Sequence, residues 1–390
     1  MSEGTTHTAG TLPSARLSTR LIFLSSGLVN AAWAPMVPFA KVRTGLGTAT
    51  FGLVLIGLGV GAVLIMPLVS WALSRHGARR CMAASCTFVT LVLPTLAILS
   101  SPVGLALALM CFGFGLGGLD AAMNAQAVEV EARSGRPLMS GFHGMFSIGG
   151  LTGSLGVTLL LASGLSVQIA ALVVTTVFLV IWLSRMQGLL PGREPRPPPE
   201  QTGGLGRGRL RLALHPAVLL IGGLAFIGFL GEGAALDWSA LFLHGKGLAT
   251  AYGGIGYAAF SVTMAFGRLT GDGAARRWGA VRLLRGSAVL AALGWAVAVI
   301  APGPVAVAGF ALVGLGAANI VPLLFGAAAR VHGVPTSVSI PLITALGYAG
   351  MLCGPAMVGL AAAATSLGVA LSGVAALLLL VVVTAGVARS

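Results

Sequence analysis

The stretch GFGLGGLDAAMNAQAVEVE, Gly113 to Glu131, decides how the chain is read. It lies in an apolar segment that begins near Pro102 and is too rich in Gly, Leu and Ala for a water-facing loop. Yet it carries Asp120, Asn124 and Gln126 well inside its length. A carboxylate at membrane depth costs about 2.5 kcal/mol or more, so it is rare there and faces a bundle interior or a wet cavity. Asp120 and Asn124, four residues apart, share one helix face. Gly113 and Gly117, also four apart, let a neighbouring helix approach closely. The stretch reads as one wall of a polar site buried in a membrane protein.

Composition supports this. Of 390 residues, 56% are hydrophobic and only 8% charged, against about 25% charged in soluble domains. Mean hydropathy is +0.98. The 58 glycines suit helices packed in lipid, where small residues bring backbones together. The net charge of +14 comes from basic residues lying between apolar runs, not from a stripe on one face, so no nucleic-acid partner is expected. Cys81, Cys86, Cys111 and Cys353 lie in or beside apolar runs without metal-ligand spacing and read as packing residues. No metal or cofactor is expected.

Along the chain, residues 1–17 read as a disordered tail. Ala32-Trp33-Ala34 resembles a signal cleavage site, but the apolar run continues past it, which favours an uncleaved first helix. Twelve spans are expected, near 18–40, 49–73, 80–99, 102–131, 138–163 and 166–190, then 215–243, 251–275, 280–301, 304–330, 335–363 and 366–388. They form an N-terminal six-helix bundle over 18–190 and a C-terminal one over 215–390. The Pro-, Gly- and Arg-rich residues 191–214 form a cytoplasmic linker. With both termini placed in the cytoplasm, all 23 Lys and Arg except Lys41, Arg43 and Lys246 fall on the inner side or at inner helix ends. That asymmetry is the positive-inside pattern.

The halves repeat at an offset near 200. FGLVLIGLG at Phe51 faces YGGIGYAAF at Tyr252, RHGARR (Arg75 to Arg80) faces RWGAVR (Arg277 to Arg282), and GLGGLD (Gly115 to Asp120) faces GLGAAN (Gly314 to Asn319). The last match puts Asn319 where Asp120 sits in the other half and suggests a central site at the interface of the halves. Six plus six helices, a basic linker and parallel half-repeats resemble the major facilitator superfamily. Its signature loop is kept in the second half at Gly267, Arg268, Leu269, Asp272, Arg276, Arg277 and Gly279. In the first half Arg75, Gly77, Arg79 and Arg80 remain, but Ser70 replaces the acidic residue. LDAAMNAQAVEVE, LMSGFHGMFSIGG and EGAALDWSALFL further resemble bacterial permeases distantly related to fucose-type sugar permeases.

Asp120 is the first candidate for proton coupling, since a buried carboxylate can take up and release a proton as its surroundings alternate between wet and dry. Glu232 and His143 are the reserves. Asn30, Trp33, Asn124, Tyr257, Ser261 and Asn319 are candidates for a substrate cavity. Phe142 and Phe146, flanking His143, read as packing residues. Asp237 is expected to pair with Arg43 or Lys41 as an outer gate, and Asp237-Trp238 also suits an interfacial anchor. Asp272 and Arg276 are expected to pair at i,i+4. By resemblance, Asp272 and Arg268 belong to an inner gate, with Asp272 facing the start of the eleventh helix. Glu129 and Glu131 read as a solvated cluster with Arg133 and Arg136, with an inner gate contact as the alternative.

No phosphate-binding loop or catalytic triad is present, so no enzyme is expected. The function implied is a monomeric, multi-pass secondary transporter of the bacterial inner membrane, using protons to move a small molecule by alternating access. One alternative is a drug or secondary-metabolite exporter working as a proton antiporter. Such exporters often carry an Arg in the fourth helix and a G-P-x-x-G-G element in the fifth, and neither is present. A membrane sensor that keeps the transporter fold is the other alternative.

Overall fold

The computed structural model describes residues 11–135, 138–190 and 214–389. Residues 1–10 of the expected tail, and the linker up to 213, lie outside them. The described residues are almost entirely helical. The long helices are α1 (Thr11–Thr44), α2 (Thr48–Val92), α3 (Pro102–Ser134), α4 (Met139–Ala162) and α5 (Val167–Arg185). They continue as α6 (Pro216–Gly245), α7 (Ile255–Trp278), α8 (Ala280–Ile300), α9 (Gly303–Ala317), α10 (Ile320–Ala328), α11 (Thr336–Ala364) and α12 (Leu367–Thr384).

Among the described residues, ten segments are long and apolar enough to cross a membrane. One of them, Thr48–Ala97, is 50 residues long, and inside it Gly77 leaves the helical conformation at φ 76°, ψ 163°. The segment Ile255–Trp278 is not among the ten, because Arg268, Asp272, Arg276 and Arg277 fall in its second half. The helix α1 begins at Thr11, ahead of the expected start at 18. Its first turns are anchored, not frayed: Ala15, Ser18 and Thr19 are buried, and Arg16 Nε donates to Ser134 Oγ at 2.8 Å. It also runs unbroken through Pro35 and Pro38.

Two compact units emerge. One holds 11–36 and 57–190, and the other holds Val37–Ile56 with 214–389. The division follows the halves of the sequence except for Val37–Ile56. That segment belongs with the second half because Gly52 lies against Gly359, the Pro355 carbonyl and the Trp238 ring. Trp238 is fully buried there, so it is a packing residue and not an interfacial anchor.

Inside each unit the helices cross at glycines, and the crossings repeat. A Cβ on Gly149 would strike the carbonyl of Leu24, and one on Gly350 the carbonyl of Phe226. Likewise Gly113 meets the carbonyl of Leu58, and Gly314 that of Phe260. Thus α1 packs on α4 as α6 packs on α11, and the first arm of α2 packs on α3 as α7 packs on α9. The turns agree too. Gly279, at φ 80° and ψ 151°, repeats the Gly77 conformation, a region open essentially only to glycine. Ser166 and Ser366 cap α5 and α12 by accepting from the backbone N–H three residues on.

The crossings correct one alignment. They pair Gly113 with Gly314 and Leu58 with Phe260, offsets of 201 and 202, whereas GLGGLD against GLGAAN is an offset of 199. Two residues turn a helix by about 200°. Asn319 therefore corresponds to Gly118, and the counterpart of Asp120 is Val321. Strings of Gly, Ala and Leu align readily without sharing a face.

The helix ends also have specific causes. Glu131 accepts from the backbone N–H groups of Leu138 at 2.5 Å and Met139 at 2.8 Å. It fixes the start of α4, whose own cap position offers no side-chain acceptor. The expected solvated cluster reduces to Glu129 and Arg133, paired at 2.8 Å; Arg136 lies outside the described residues. Lys246 Nζ donates to the carbonyls of Val299 and Ala301 at 2.6 Å, satisfying the end of α8. The span expected over 304–330 is broken at Ala318 and Asn319, between α9 and α10. Pro322 cannot donate to the carbonyl of residue 318, and its ring crowds that oxygen.

These contacts make glycine position, not glycine content, the determinant of stability. Gly113→Leu is expected to lower stability by about 1–3 kcal/mol or more, seen as a lower melting temperature of the purified protein. Gly156→Leu is expected to change it little, since nothing lies within 4 Å of a Cβ there.

Candidate functional site

Each unit carries polar groups far from helix ends. In the first unit, Asp120 lies on α3, well inside an apolar segment. Its neighbour one turn on, Asn124, donates through Nδ2 to the Asp120 carbonyl at 2.9 Å and to its Oδ1 at 3.2 Å. The expected sharing of one face is thus realised as a direct bond. Asp120 has no ion-pair partner within 4 Å among the described residues. An amide that neutralises no charge leaves the carboxylate able to exist with or without a proton.

On α4, His143 meets Phe23 of α1 edge-on, with ring centroids 5.3 Å apart. Phe142 stacks on the same ring at 5.6 Å and is fully buried, in keeping with a packing role. Asn30 is partly exposed on α1. Trp33, expected to line a cavity, is fully enclosed, and its Nε1 has no hydrogen-bond partner. It cannot present its ring to a solute in this arrangement.

In the second unit the polar groups form a cluster on α6 and α7. Arg268 Nη2 lies 3.4 Å from Glu232 Oε2. The side chains are 27% and 15% exposed, so the pair is recessed but reachable. Tyr257 and Ser261, one turn apart on α7, are both buried. The Tyr257 ring stacks on Phe260 at 5.4 Å. On the Glu232 face of α6, one turn earlier, Phe229 stacks on Tyr348 of α11 at 5.6 Å. Of the sequence candidates in this unit, Glu232 and Arg268 meet directly, while Tyr257 and Ser261 share α7 with Arg268 and Asp237 shares α6 with Glu232.

Others stand apart. Asn319 donates to the Gly267 carbonyl at 3.2 Å, and its amide abuts Gly271. It fastens the broken span to α7. Asp272 and Arg276 are both exposed and do not form the expected ion pair. Lys41 donates to Thr48 at 2.9 Å. A cavity of about 310 Å³ opens between the arms of α2 and α3, lined by Leu68, His76, Arg80 and Phe88 among others, and none of the sequence candidates lines it.

The contact that sequence reasoning missed is Arg268 with Glu232. Arg268 reads as part of a loop signature near an inner helix end, yet it stands 13 residues into α7, roughly 20 Å along the helix. An Arg and a Glu in two apolar segments were the available signal, but no spacing rule links residues on different helices.

A partly buried ion pair of this kind is lopsided in its energetics: losing one partner strands the other. Arg268→Gln is expected to lower the melting temperature, costing about 1–3 kcal/mol. The double variant Glu232→Gln with Arg268→Gln should recover most of that loss. A double variant no more stable than the single one would show that losing Arg268 does not strand Glu232.

The family model for the Major Facilitator Superfamily matches residues 20–355. An uncharacterized MFS-type transporter of Yersinia pestis is 42% identical over 377 residues, covering 95% of each chain. Among solved structures, a mutant form of the nucleoside transporter NupG superposes with a TM-score of 0.80 at 15% identity, over 96% of this chain and 100% of that one. A bacterial homologue of the human lysosomal transporter Spinster, inward-facing and unoccupied, gives 0.74 at 14% identity over 98% of both. At such identities the structures share the fold alone.

Proposed function

From the premise that this chain belongs to the major facilitator superfamily, a family of membrane transporters, we propose that it is a proton-coupled secondary transporter of the bacterial inner membrane. In this reading it moves a small molecule by alternating access. The chain spans the membrane twelve times, counting the two arms of α2 separately and including α7, with both termini in the cytoplasm as the positive-inside pattern requires. It works as a monomer.

The observation that carries this reading is that ionisable groups persist at mid-helix in both units. Asp120 is held only by an amide, and Glu232 is held by one long contact to Arg268. Intramembrane ionisable residues mark substrate and ion pathways, because lipid penalises them wherever they are idle. This also weighs against a sensor that moves nothing. Asp120 carries the driving proton in this account, with Glu232 and His143 as further carriers. Asp120→Asn is expected to abolish pH-driven accumulation in proteoliposomes while leaving substrate exchange intact. Unchanged uphill transport by the variant would sink the coupling claim.

Asp237 is buried near the outer end of α6. It forms an outer gate with Arg43, which belongs to the same unit. Arg43→Glu and Asp237→Arg should each reduce transport by about tenfold or more, the order expected for a broken charge pair. Transport should return when the two are combined, and absence of rescue would count against the gate.

A further inference from the structure

The Glu232 and Arg268 pair is built too loosely to be a structural strut. A charge-assisted N–H···O contact is about 2.7–2.9 Å when well made, and Arg pairs with carboxylates through two parallel bonds. Here one nitrogen reaches one oxygen at 3.4 Å. The other donors of Arg268 and the second oxygen of Glu232 have no partner among the described residues. The planar guanidinium fork is therefore open on the accessible side of the pair. Beside it, on the same face of α6, lies the half-buried stack of Phe229 and Tyr348.

We infer that Arg268 is the anchor for an anionic substrate group, and that the transported molecule is a small organic monoanion, a carboxylate with a flat or apolar body. Glu232 is the resident counterion that the substrate displaces. The inference rests on the transport reading and adds the substrate class to it.

Charge balance fixes the count. The empty pair is neutral. A monoanion on Arg268 with Glu232 still ionised would leave one net negative charge in a recessed site, which such surroundings disfavour. One proton on Glu232 restores neutrality, so the carboxylate enters with its own compensating proton. The proton on Asp120, which supplies the driving force, is separate. A dianion such as hydrogen phosphate would need a second compensating charge, which this cluster does not contain. A neutral sugar would leave the open fork of Arg268 unused. The aromatic stack would bind the body of the molecule.

The test uses the purified full chain in detergent, with benzoate, gluconate, inorganic phosphate, glucose, adenosine and tetraphenylphosphonium as probes. A ligand that binds the folded state raises its melting temperature by mass action. A monocarboxylate is expected to stabilise the wild type. Glu232→Gln, which keeps Arg268 and removes its competitor, should bind the same probe about tenfold more tightly, and Arg268→Gln should not bind it. In weakly buffered solution, binding to the wild type should take up about one proton per carboxylate bound, and binding to Glu232→Gln none.

Stabilisation by glucose, adenosine or the cation, equal in wild type and Arg268→Gln, would overturn the anion assignment while leaving the transport reading in place. Phosphate binding without benzoate or gluconate would overturn the monocarboxylate class. Binding of a monocarboxylate indifferent to both variants would remove Arg268 as anchor, and no shift with any probe would overturn the inference as well. Failure of the transport reading itself shows separately, as no uptake or exchange of any probe by the wild type in proteoliposomes under a pH gradient.

Discussion

Helices in lipid gain no hydrophobic driving force from meeting one another, so contact at the backbone has to hold them. In this protein that contact is a glycine on one helix seated against a carbonyl oxygen of the next. Gly149 on Leu24, Gly113 on Leu58, Gly350 on Phe226 and Gly314 on Phe260 are the same joint used four times. Everything else is placed by these joints. Asp120 and Asn124, seven and eleven residues on from Gly113, lie on the same face of α3 as the glycines that meet α2, so this joint sets where they sit. Because Gly347 and Gly350 draw α11 onto α6, Phe229 and Tyr348 can stack beside Glu232.

Polar groups at depth follow one rule with two outcomes. Where a backbone group or a well-placed donor satisfies them, they become fastenings, as with Asn319 on Gly267 and Lys246 on the end of α8. Where satisfaction is partial, they are sites. Asp120 with its single amide and Glu232 with its single long contact belong to the second kind. Glu131 shows how fine the distinction is. A carboxylate only eleven residues from Asp120 is taken up by two backbone N–H groups and holds a loop.

Much of the fold was legible in the sequence, because apolar length and charge asymmetry are coarse signals set by the bilayer. The helical spans, the repeat and the RHGARR/RWGAVR turns came from such signals. The Asp120 and Asn124 bond was legible too, since both residues lie on one helix and the i,i+4 rule is local. What was not legible depends on contacts between helices. Trp33 and Trp238 are aromatic in sequence but sealed in the structure. Arg268 meets Glu232 across 36 residues. The pairing of Asn319 with Asp120 fails because a two-residue register error is invisible in Gly- and Ala-rich strings yet reverses a helix face. The helical start at Thr11 is hidden because short polar residues there have the composition of a tail, although Ala15, Ser18 and Thr19 pack inward.

The break at Ala318 and Asn319 sets the two halves apart. Its counterpart α3 is one rod of 33 residues, whereas α9 and α10 are separate rods of 15 and 9 joined at a point. A rod transmits rotation along its whole length, and a jointed pair does not. Asn319 pins the joint to α7 through the Gly267 carbonyl, one residue before Arg268. Duplication thus yielded two copies with the same wiring but different stiffness. The compliant member of the pair adjoins the helix that carries the guanidinium.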